Sequence, residues 1–461
     1  MLFLSVIFLL VLVILVHLTL KYHLPRRRRR NTIAFFHLYC TSGGGGERVL
    51  WHTIEALFNK YPNYSVYIYS HKSVKGDTLR TLLNVKDLFK IDLVTDKRFI
   101  DKLEFVPLNC SSLIEAKRYP FLTLLFQNLG SILLACEAAY RITPEIYMET
   151  IGFTFTLPVF KLLRCTVITY VHYPTISSDM IQNVRTSTHA SFNNREIFIR
   201  SPTLRSVKLI YYRILAYLYG LAGRRADLVL VNSSWTQAHI SSLWKTKAHV
   251  VYPPCDVESF KSLHSRGAKC ASPALNIISI AQFRPEKKHQ LQIEAFDLFL
   301  GKTGAYDSRL TLYGGCREEA DKKRVDGLRE FIRRLDLESN IEILVGASFE
   351  RLLQGMKDAD VAIHTMENEH FGIVLLECMA AGLLTVAHNS GGPKADIIED
   401  GRDGFLANDL EDFAAKLVTI SRMNTQQRQE ICERAMKKSD KFSTRVFEVS
   451  FIKLVDQFLR R

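Results

Sequence analysis

At 461 residues, 47% hydrophobic and 23% charged, the chain is too long for one hydrophobic core and too apolar to stay disordered, so two folded domains are expected. A formal charge of +14 favours polyanionic partners, whether nucleic acid, anionic lipid or phosphorylated substrates. The nine cysteines are scattered, with no C-x-x-C pair and no His–Cys grouping at zinc spacing, which argues against a disulfide scaffold or a zinc site and suits a reducing compartment.

From Leu2 to Leu20 there is no formally charged side chain, and a helix of about 20 apolar residues spans a bilayer. Lys21 and the run Arg26 to Arg30 follow, while no positive side chain precedes the stretch. This arrangement is the reverse of a cleaved secretory signal, which is the alternative reading. The positive-inside rule predicts a transmembrane signal anchor over residues 1–24 and a basic cytosolic flank over 25–30, with the rest of the chain on the cytosolic side. The arginine run also fits a nuclear or nucleic-acid patch, although its place beside an apolar helix favours a stop signal. On the cytosolic side the Asn-x-Ser sequons at Asn63, Asn109 and Asn232 would stay bare.

Past the anchor, apolar β-type runs alternate with amphipathic helical patterns, which predicts α/β architecture. Thr32 to Leu38 reads as the first strand. Gly43 to Gly46 follow, then a helix with Val49, Leu50, Ile54, Leu57 and Phe58 on one face. Val66 to Tyr69, Val167 to Val171 and Leu228 to Val231 read as further strands of this half. The stretch Tyr119 to Cys136 is more apolar than a one-sided surface helix requires. It fits a buried helix and a membrane-dipping surface equally, and Lys117 and Arg118 before it suit anionic headgroups.

The segment Val250-Val-Tyr-Pro-Pro-Cys255 breaks the periodicity and reads as a linker. A second alternation follows, with strands at Ile277 to Ala281, Leu310 to Tyr313, Ile341 to Val345, Val361 to His364 and Leu383 to Ala387. The predicted fold is two Rossmann-like domains facing a central cleft, preceded by one transmembrane helix. Its parts are an N-terminal acceptor domain over 31–252, a donor nucleotide-sugar domain over 253–440, and a C-terminal helix over 441–461 packing back toward the first domain.

In open α/β sheets ligands sit beyond the carboxyl ends of the strands. Glu369-His-Phe-Gly-Ile-Val-Leu-Leu-Glu377 places two carboxylates around a helix start near Phe371, where unpaired amides attract phosphate or sugar oxygens. Glu369 is placed to accept from sugar hydroxyls and Glu377 from a ribose; a capped helix with a solvated Glu is the plainer reading. Gln282-Phe-Arg-Pro-Glu-Lys-Lys288 follows a strand and precedes a helix, so Arg284 and Lys288 stand where a diphosphate would lie. Two cations there can neutralise a departing nucleotide, a task otherwise given to a metal. Ser390-Gly-Gly-Pro-Lys394 permits close backbone approach or is a simple turn. The glycines Gly43, Gly44, Gly45 and Gly46 suit phosphate recognition at a helix start, without a Walker or dinucleotide pattern. His172 stands at the end of an apolar strand, as either a structural or a functional histidine.

Together these residues resemble the retaining GT-B glycosyltransferases with the paired-glutamate motif, over nearly the whole chain after the anchor. The passages His37 to Trp51, Tyr170 to Ser177 and Gln282 to His289 are similar, more narrowly, to the eukaryotic α-1,2-mannosyltransferases of asparagine-linked glycosylation. That resemblance implies a single-pass endoplasmic reticulum enzyme with its domains on the cytosolic face. It would add two mannoses in succession from GDP-mannose to a trimannosyl dolichol-diphosphate oligosaccharide. Arg284 and Lys288 would hold the donor diphosphate. Glu369 and the amides of Phe371, Gly372 and Ile373 would hold mannose and phosphate, Glu377 the ribose, and His172 would sit beside the donor sugar. The resemblance implies no catalytic metal and no other cofactor. It further implies contact with an anionic membrane surface, and it allows a complex with other mannosyltransferases of the pathway.

Three other readings stay open on the residues alone. One is another GT-B lipid-directed transferase, for example one that uses UDP-N-acetylglucosamine. A second is a catalytically silent, membrane-tethered binding subunit. The third, a nucleic-acid-binding protein, is disfavoured because no aromatic strand interleaves the basic residues.

Overall fold

A computed structural model describes residues 28–74, 78–176, 202–263 and 272–460. The expected anchor over 1–24 and Arg26 and Arg27 of the basic run lie outside the described residues. Among the described residues no helix is long and apolar enough to cross a membrane.

The chain forms two compact units. The first contains residues up to Asn232, Thr236–Tyr252 and Glu448–Arg461; the second contains Ser233–Trp235 and Pro253–Phe447. Each is built on one wholly parallel sheet. The first sheet runs, edge to edge, β3 (Leu103–Leu108), β2 (Ser65–His71), β1 (Thr32–Phe36), β4 (Ile146–Glu149), β5 (Thr166–Val171), β6 (Leu228–Val231) and β7 (Ala248–Val250); the second runs β10 (Ile341–Val345), β9 (Arg309–Gly314), β8 (Asn276–Ile280), β11 (Val361–His364), β12 (Leu384–His388) and β13 (Phe405–Ala407). Counted from its own first strand, each sheet therefore begins 3-2-1-4-5-6, the doubly wound order. The order reverses between β1 (Thr32–Phe36) and β4 (Ile146–Glu149) in the first unit, and between β8 (Asn276–Ile280) and β11 (Val361–His364) in the second. Such a reversal opens a crevice at the strand ends, where loops can reach a ligand.

The predicted strands form within a residue or two of their expected bounds, and four more appear. β3 (Leu103–Leu108) carries Pro107, which cannot donate to a ladder, and the strand tolerates it by lying at the sheet edge. β4 ends in a glutamate, which breaks its apolar run, and β7 (Ala248–Val250) and β13 (Phe405–Ala407) are three residues each, too short for a period to declare itself. The first core packs Phe36, Tyr69, Tyr147 and Phe160 with Leu134 and Trp244; Tyr147 and Phe160 stack at 3.6 Å. The second core centres on Phe283, Phe296, Phe299 and Phe413.

Two helices of the first unit invert the usual pattern. Thr123–Arg141 buries Asn128, Gly130, Ser131, Ala135 and Ala138 while Leu129 and Leu133 remain 46% and 59% exposed. A Cβ on Gly130 would lie 2.4 Å from the Leu113 carbonyl oxygen, so small residues are needed inside. Likewise, in Pro202–Gly223 a Cβ on Gly220 would meet the Leu243 carbonyl oxygen at 2.5 Å, while Val207, Ile210, Ile214 and Tyr217 face outward. The two helices adjoin: the Leu125 amide donates to Tyr211 Oη at 3.1 Å.

Part of the basic run belongs to the fold. Arg28 donates to the Arg164 carbonyl, and Arg29 donates to Tyr67 Oη at 3.1 Å with its guanidinium over that ring. At the other end of the chain, Thr444–Leu459 is helical, and its Asp456 accepts from Tyr61 Oη.

Candidate active site

In the second unit, β8 delivers the chain to Phe283 and Arg284, a short 3-10 turn over Pro285–Lys287, and Lys288 in the left-handed conformation at φ 48°. The helix His289–Thr303 starts immediately afterwards. A hydrogen-bond chain pins this turn. Gln292 Nε2 donates to Thr365 Oγ1 at 2.9 Å, and that hydroxyl faces the Lys287 carbonyl at 2.8 Å and the Lys288 carbonyl at 3.3 Å. Thr365 follows β11, so the two strands at the sheet's reversal hold the dilysine between them.

The two lysines point to different carboxylates. Lys287 Nζ lies 2.5 Å from Glu369 Oε2, a largely buried pair, and His364 Nε2 reaches the same oxygen at 2.9 Å. Lys288 Nζ lies 2.9 Å from Glu367 Oε2, and both of those side chains are substantially exposed. Arg284 is half-buried, its guanidinium 3.9 Å from Glu286. The sequence-predicted cations thus stand in one βα turn with solvent-facing charge, available to an incoming phosphate. Burial pushes the Glu369 carboxyl up, but the His364 hydrogen bond and the Lys287 and His364 charges outweigh it and hold the group far below the carboxylate range. It is an obligate anion, suited to accepting from hydroxyls. Lys287 and His364 carried no assigned role in the sequence reading; the one sits beside Lys288 and the other ends a predicted strand.

Beyond Glu369 the helix starts later than expected. Gly372, at φ 102°, caps a helix over Ile373–Ala380, because its left-handed turn redirects the chain after Phe371. Phe371 is buried and packs on Phe442. Glu377 is half-buried, four residues after Ile373 and so about 6 Å along the axis. The Ser390–Lys394 glycines serve this segment. Gly391 has φ 62°, and a Cβ there would fall 2.2 Å from the Glu369 carbonyl oxygen. The Gly392 amide donates to that same oxygen at 2.7 Å. Their smallness lets one backbone press against another and fixes Glu369 in place.

In the first unit, Gly43 and Gly44 lead into a helix over Gly45–Lys60. None of the four glycines has a left-handed φ. A Cβ on Gly45 would meet nothing within 4 Å, whereas one on Gly46 would lie 3.6 Å from His172 Nε2. The glycine helix and His172, which follows β5 (Thr166–Val171), are therefore neighbours. Asn232 Nδ2 donates to the His172 carbonyl at 2.8 Å. Burial pushes the Glu47 carboxyl, one turn in, up, but the nearby imidazoles of His37 and His172 bring it below its ordinary value. His37 Nε2 is 3.7 Å from Glu47, and its Nδ1 is 2.8 Å from Thr150 Oγ1.

A residue the sequence gave no sign of is Glu149, fully buried at the end of β4. Its Oε1 accepts from the amides of Ile151, Gly152 and Phe153 at 2.9, 2.7 and 3.0 Å, fixing the loop at the first sheet's reversal.

Solved structures share this architecture. The Anabaena protein Alr3699/HepE in complex with UDP and glucose superposes with TM-score 0.60 at 18% identity, over 92% of this chain and 99% of that one. Sucrose-phosphate synthase from Thermosynechococcus elongatus gives 0.64 at 16% identity, over 94% and 100%. A family model described as "Glycosyl transferases group 1" matches residues 271–438, and one described as "ALG11 mannosyltransferase N-terminus" matches 30–244. With its two parallel sheets and its basic βα turn facing Glu369, the chain is a glycosyltransferase of the GT-B fold.

The relatives narrow this class. The Mus musculus GDP-Man:Man(3)GlcNAc(2)-PP-Dol alpha-1,2-mannosyltransferase is 41% identical, with 95% of this chain and 92% of that protein covered. The Homo sapiens protein of the same name is 42% identical, with 94% and 88% covered. The chain belongs to the family of GDP-Man:Man(3)GlcNAc(2)-PP-Dol alpha-1,2-mannosyltransferases.

Proposed function

We propose that the protein transfers mannose from GDP-mannose to Man3GlcNAc2-diphosphodolichol in α-1,2 linkage, adding two residues in succession with retention of configuration. The observation that carries this reading is the 41–42% identity with relatives of that name, sustained across both units.

On this reading Arg284 and Lys288 take the donor diphosphate, and Glu369 accepts from mannose hydroxyls. The amides of Phe371, Gly372 and Ile373 meet phosphate and sugar oxygens, and Glu377 meets the ribose. His172 and the Gly43–Gly46 loop serve the reacting end. The bond from the anomeric carbon to phosphate breaks with its electron pair leaving on GDP. The acceptor hydroxyl attacks on the same face, and its proton passes to the departing phosphate oxygen. The fixed cations of the β8 turn supply the charge stabilisation, so no catalytic metal is invoked.

The acceptor is a lipid, and the outward stripes of the Thr123–Arg141 and Pro202–Gly223 helices support docking on an anionic membrane surface. Val207, Ile210, Ile214 and Tyr217 repeat at helical spacing, with Lys208 and Arg213 flanking them. No disulfide joins two of the eight cysteines among the described residues, which supports placement on the cytosolic face of the endoplasmic reticulum.

The test is an assay of the purified full chain with GDP-mannose and a lipid-linked trimannosyl acceptor. The product should gain two hexoses, both removed by an α-1,2-specific mannosidase. Turnover with UDP-sugars alone would end the mannosyl reading.

A further inference from the structure

His52, Glu55 and Glu448 meet where the first helix of the N-terminal unit faces the last helix of the chain. His52 and Glu55 stand one turn apart on Gly45–Lys60, and Glu448 belongs to Thr444–Leu459. One possible ligand atom from each lies within 4.8 Å of the other two. No mechanistic role has been given to any of them.

The cluster is poorly satisfied as it stands. His52 is only 8% exposed, and its Nδ1 is buried without a hydrogen bond, Glu55 Oε2 standing 3.4 Å away. A polar atom buried in that state is unfavourable, since it gave up water without gaining a partner. The two carboxylates also face one another. Burial, and then the charge of Glu55, push the Glu448 carboxyl above its ordinary value, with His52 acting against them.

A divalent cation would resolve both difficulties, because it takes the imidazole lone pair and neutralises the carboxylates together. One neutral imidazole and two carboxylates form a donor set suited to Zn2+, with a fourth position left for water. Ligand atoms around tetrahedral Zn2+ stand roughly 3.3 Å apart, so the two glutamate side chains need to draw in by no more than a torsion or two.

We propose that His52, Glu55 and Glu448 form a Zn2+ site that staples the first helix of the N-terminal unit to the C-terminal helix. The other end of the same seam is already closed by Tyr61 with Asp456 and by Tyr64 Oη donating to the Leu459 carbonyl at 3.1 Å. The ion would fasten the opposite end of this seam. Its role is structural and independent of the donor chemistry.

The test uses the full-length protein stripped with a chelator and then titrated with Zn2+, and separately with Co2+ for its visible absorption. The expected result is one ion per chain, a rise in Tm on Zn2+ addition, and a Co2+ spectrum typical of mixed nitrogen and oxygen ligation. Glu448→Gln should weaken binding about tenfold or more, and His52→Gln should abolish it. No stoichiometric uptake in the low micromolar range, or uptake unchanged in Glu448→Gln, overturns the proposal. His52 is buried and its replacement carries a folding cost of its own, so the half-buried Glu448 decides the matter by itself.

Discussion

The ammonium of Lys287 and the carboxylate of Glu369 meet at 2.5 Å, largely out of solvent, while the adjacent Lys288 reaches outward to Glu367. Neighbours in sequence thus have separable tasks. Lys287→Ala leaves a buried carboxylate held by His364 and by the His370 amide but without its cation, and should lower stability by about 3 kcal/mol along with turnover. Lys288→Ala should leave Tm unchanged and reduce turnover by roughly 100-fold. Thermal unfolding and initial rates on the same preparations check both. Wild-type turnover in Lys288→Ala would remove that residue from the donor site.

Gly391→Ala should be costly for two reasons, its φ of 62° and the 2.2 Å approach of a new Cβ to the Glu369 carbonyl oxygen. A loss of about 1–3 kcal/mol with a fall in kcat is expected. Gly45→Ala is the informative contrast, since a Cβ there meets nothing within 4 Å. That variant should fold at least as well as wild type. If a ligand approaches the glycine helix closely, as the proposed function requires, its KM or kcat will suffer all the same.

Glu149 predicts a pH dependence of stability. Burial pushes its carboxyl from 4.5 up to about 7, against the pull of the Ile151, Phe153 and Gly152 amides and the Thr169 hydroxyl. The folded state therefore binds this proton more tightly than the unfolded state. The stability it contributes is complete below about pH 4.5 and is lost as pH rises through 7. Glu149→Gln keeps an acceptor for the three amides and should remove that part of the slope. Glu149→Ala leaves the three amides unpaired and should destabilise by about 2–4 kcal/mol near pH 5, the deficit relative to wild type shrinking as pH rises through 7. Urea titrations from pH 5 to pH 8, chosen to bracket most of the change, compare the three proteins.

Replacing Ile210 and Ile214 together with Glu should abolish binding to phosphatidylserine vesicles at unchanged Tm, because both side chains are 56% exposed and neither supports the core. Vesicle co-sedimentation measures this. Undiminished binding would detach these helices from the membrane reading.

The doubly wound architecture was legible because the central strands are short apolar runs bounded by turn residues, as at Val361 to His364. The edge strand β3 hid behind Pro107, and β7 and β13 were too short to show a period. At the site, the motif Gln282 to Lys288 marked the right turn, but spacing alone could not tell which lysine faces Glu369. That choice depends on the left-handed backbone at Lys288 and on Thr365, which lies 77 positions away in sequence. Glu149 gave no signal, since a glutamate ending a strand is ordinary until its burial is known. The stretch Tyr119 to Cys136 is neither of its two sequence readings taken alone: one face is buried through small residues and the other is open.

That division of labour in the Thr123–Arg141 helix separates two kinds of evolutionary constraint. The inner face answers to a carbonyl oxygen that leaves Gly130 no room to change. The outer face carries Leu129, Leu133 and Tyr140, whose side chains stand clear of the core. A lineage could therefore rewrite every large outward side chain, retuning adhesion to a different surface, while the sheet below stayed where it was.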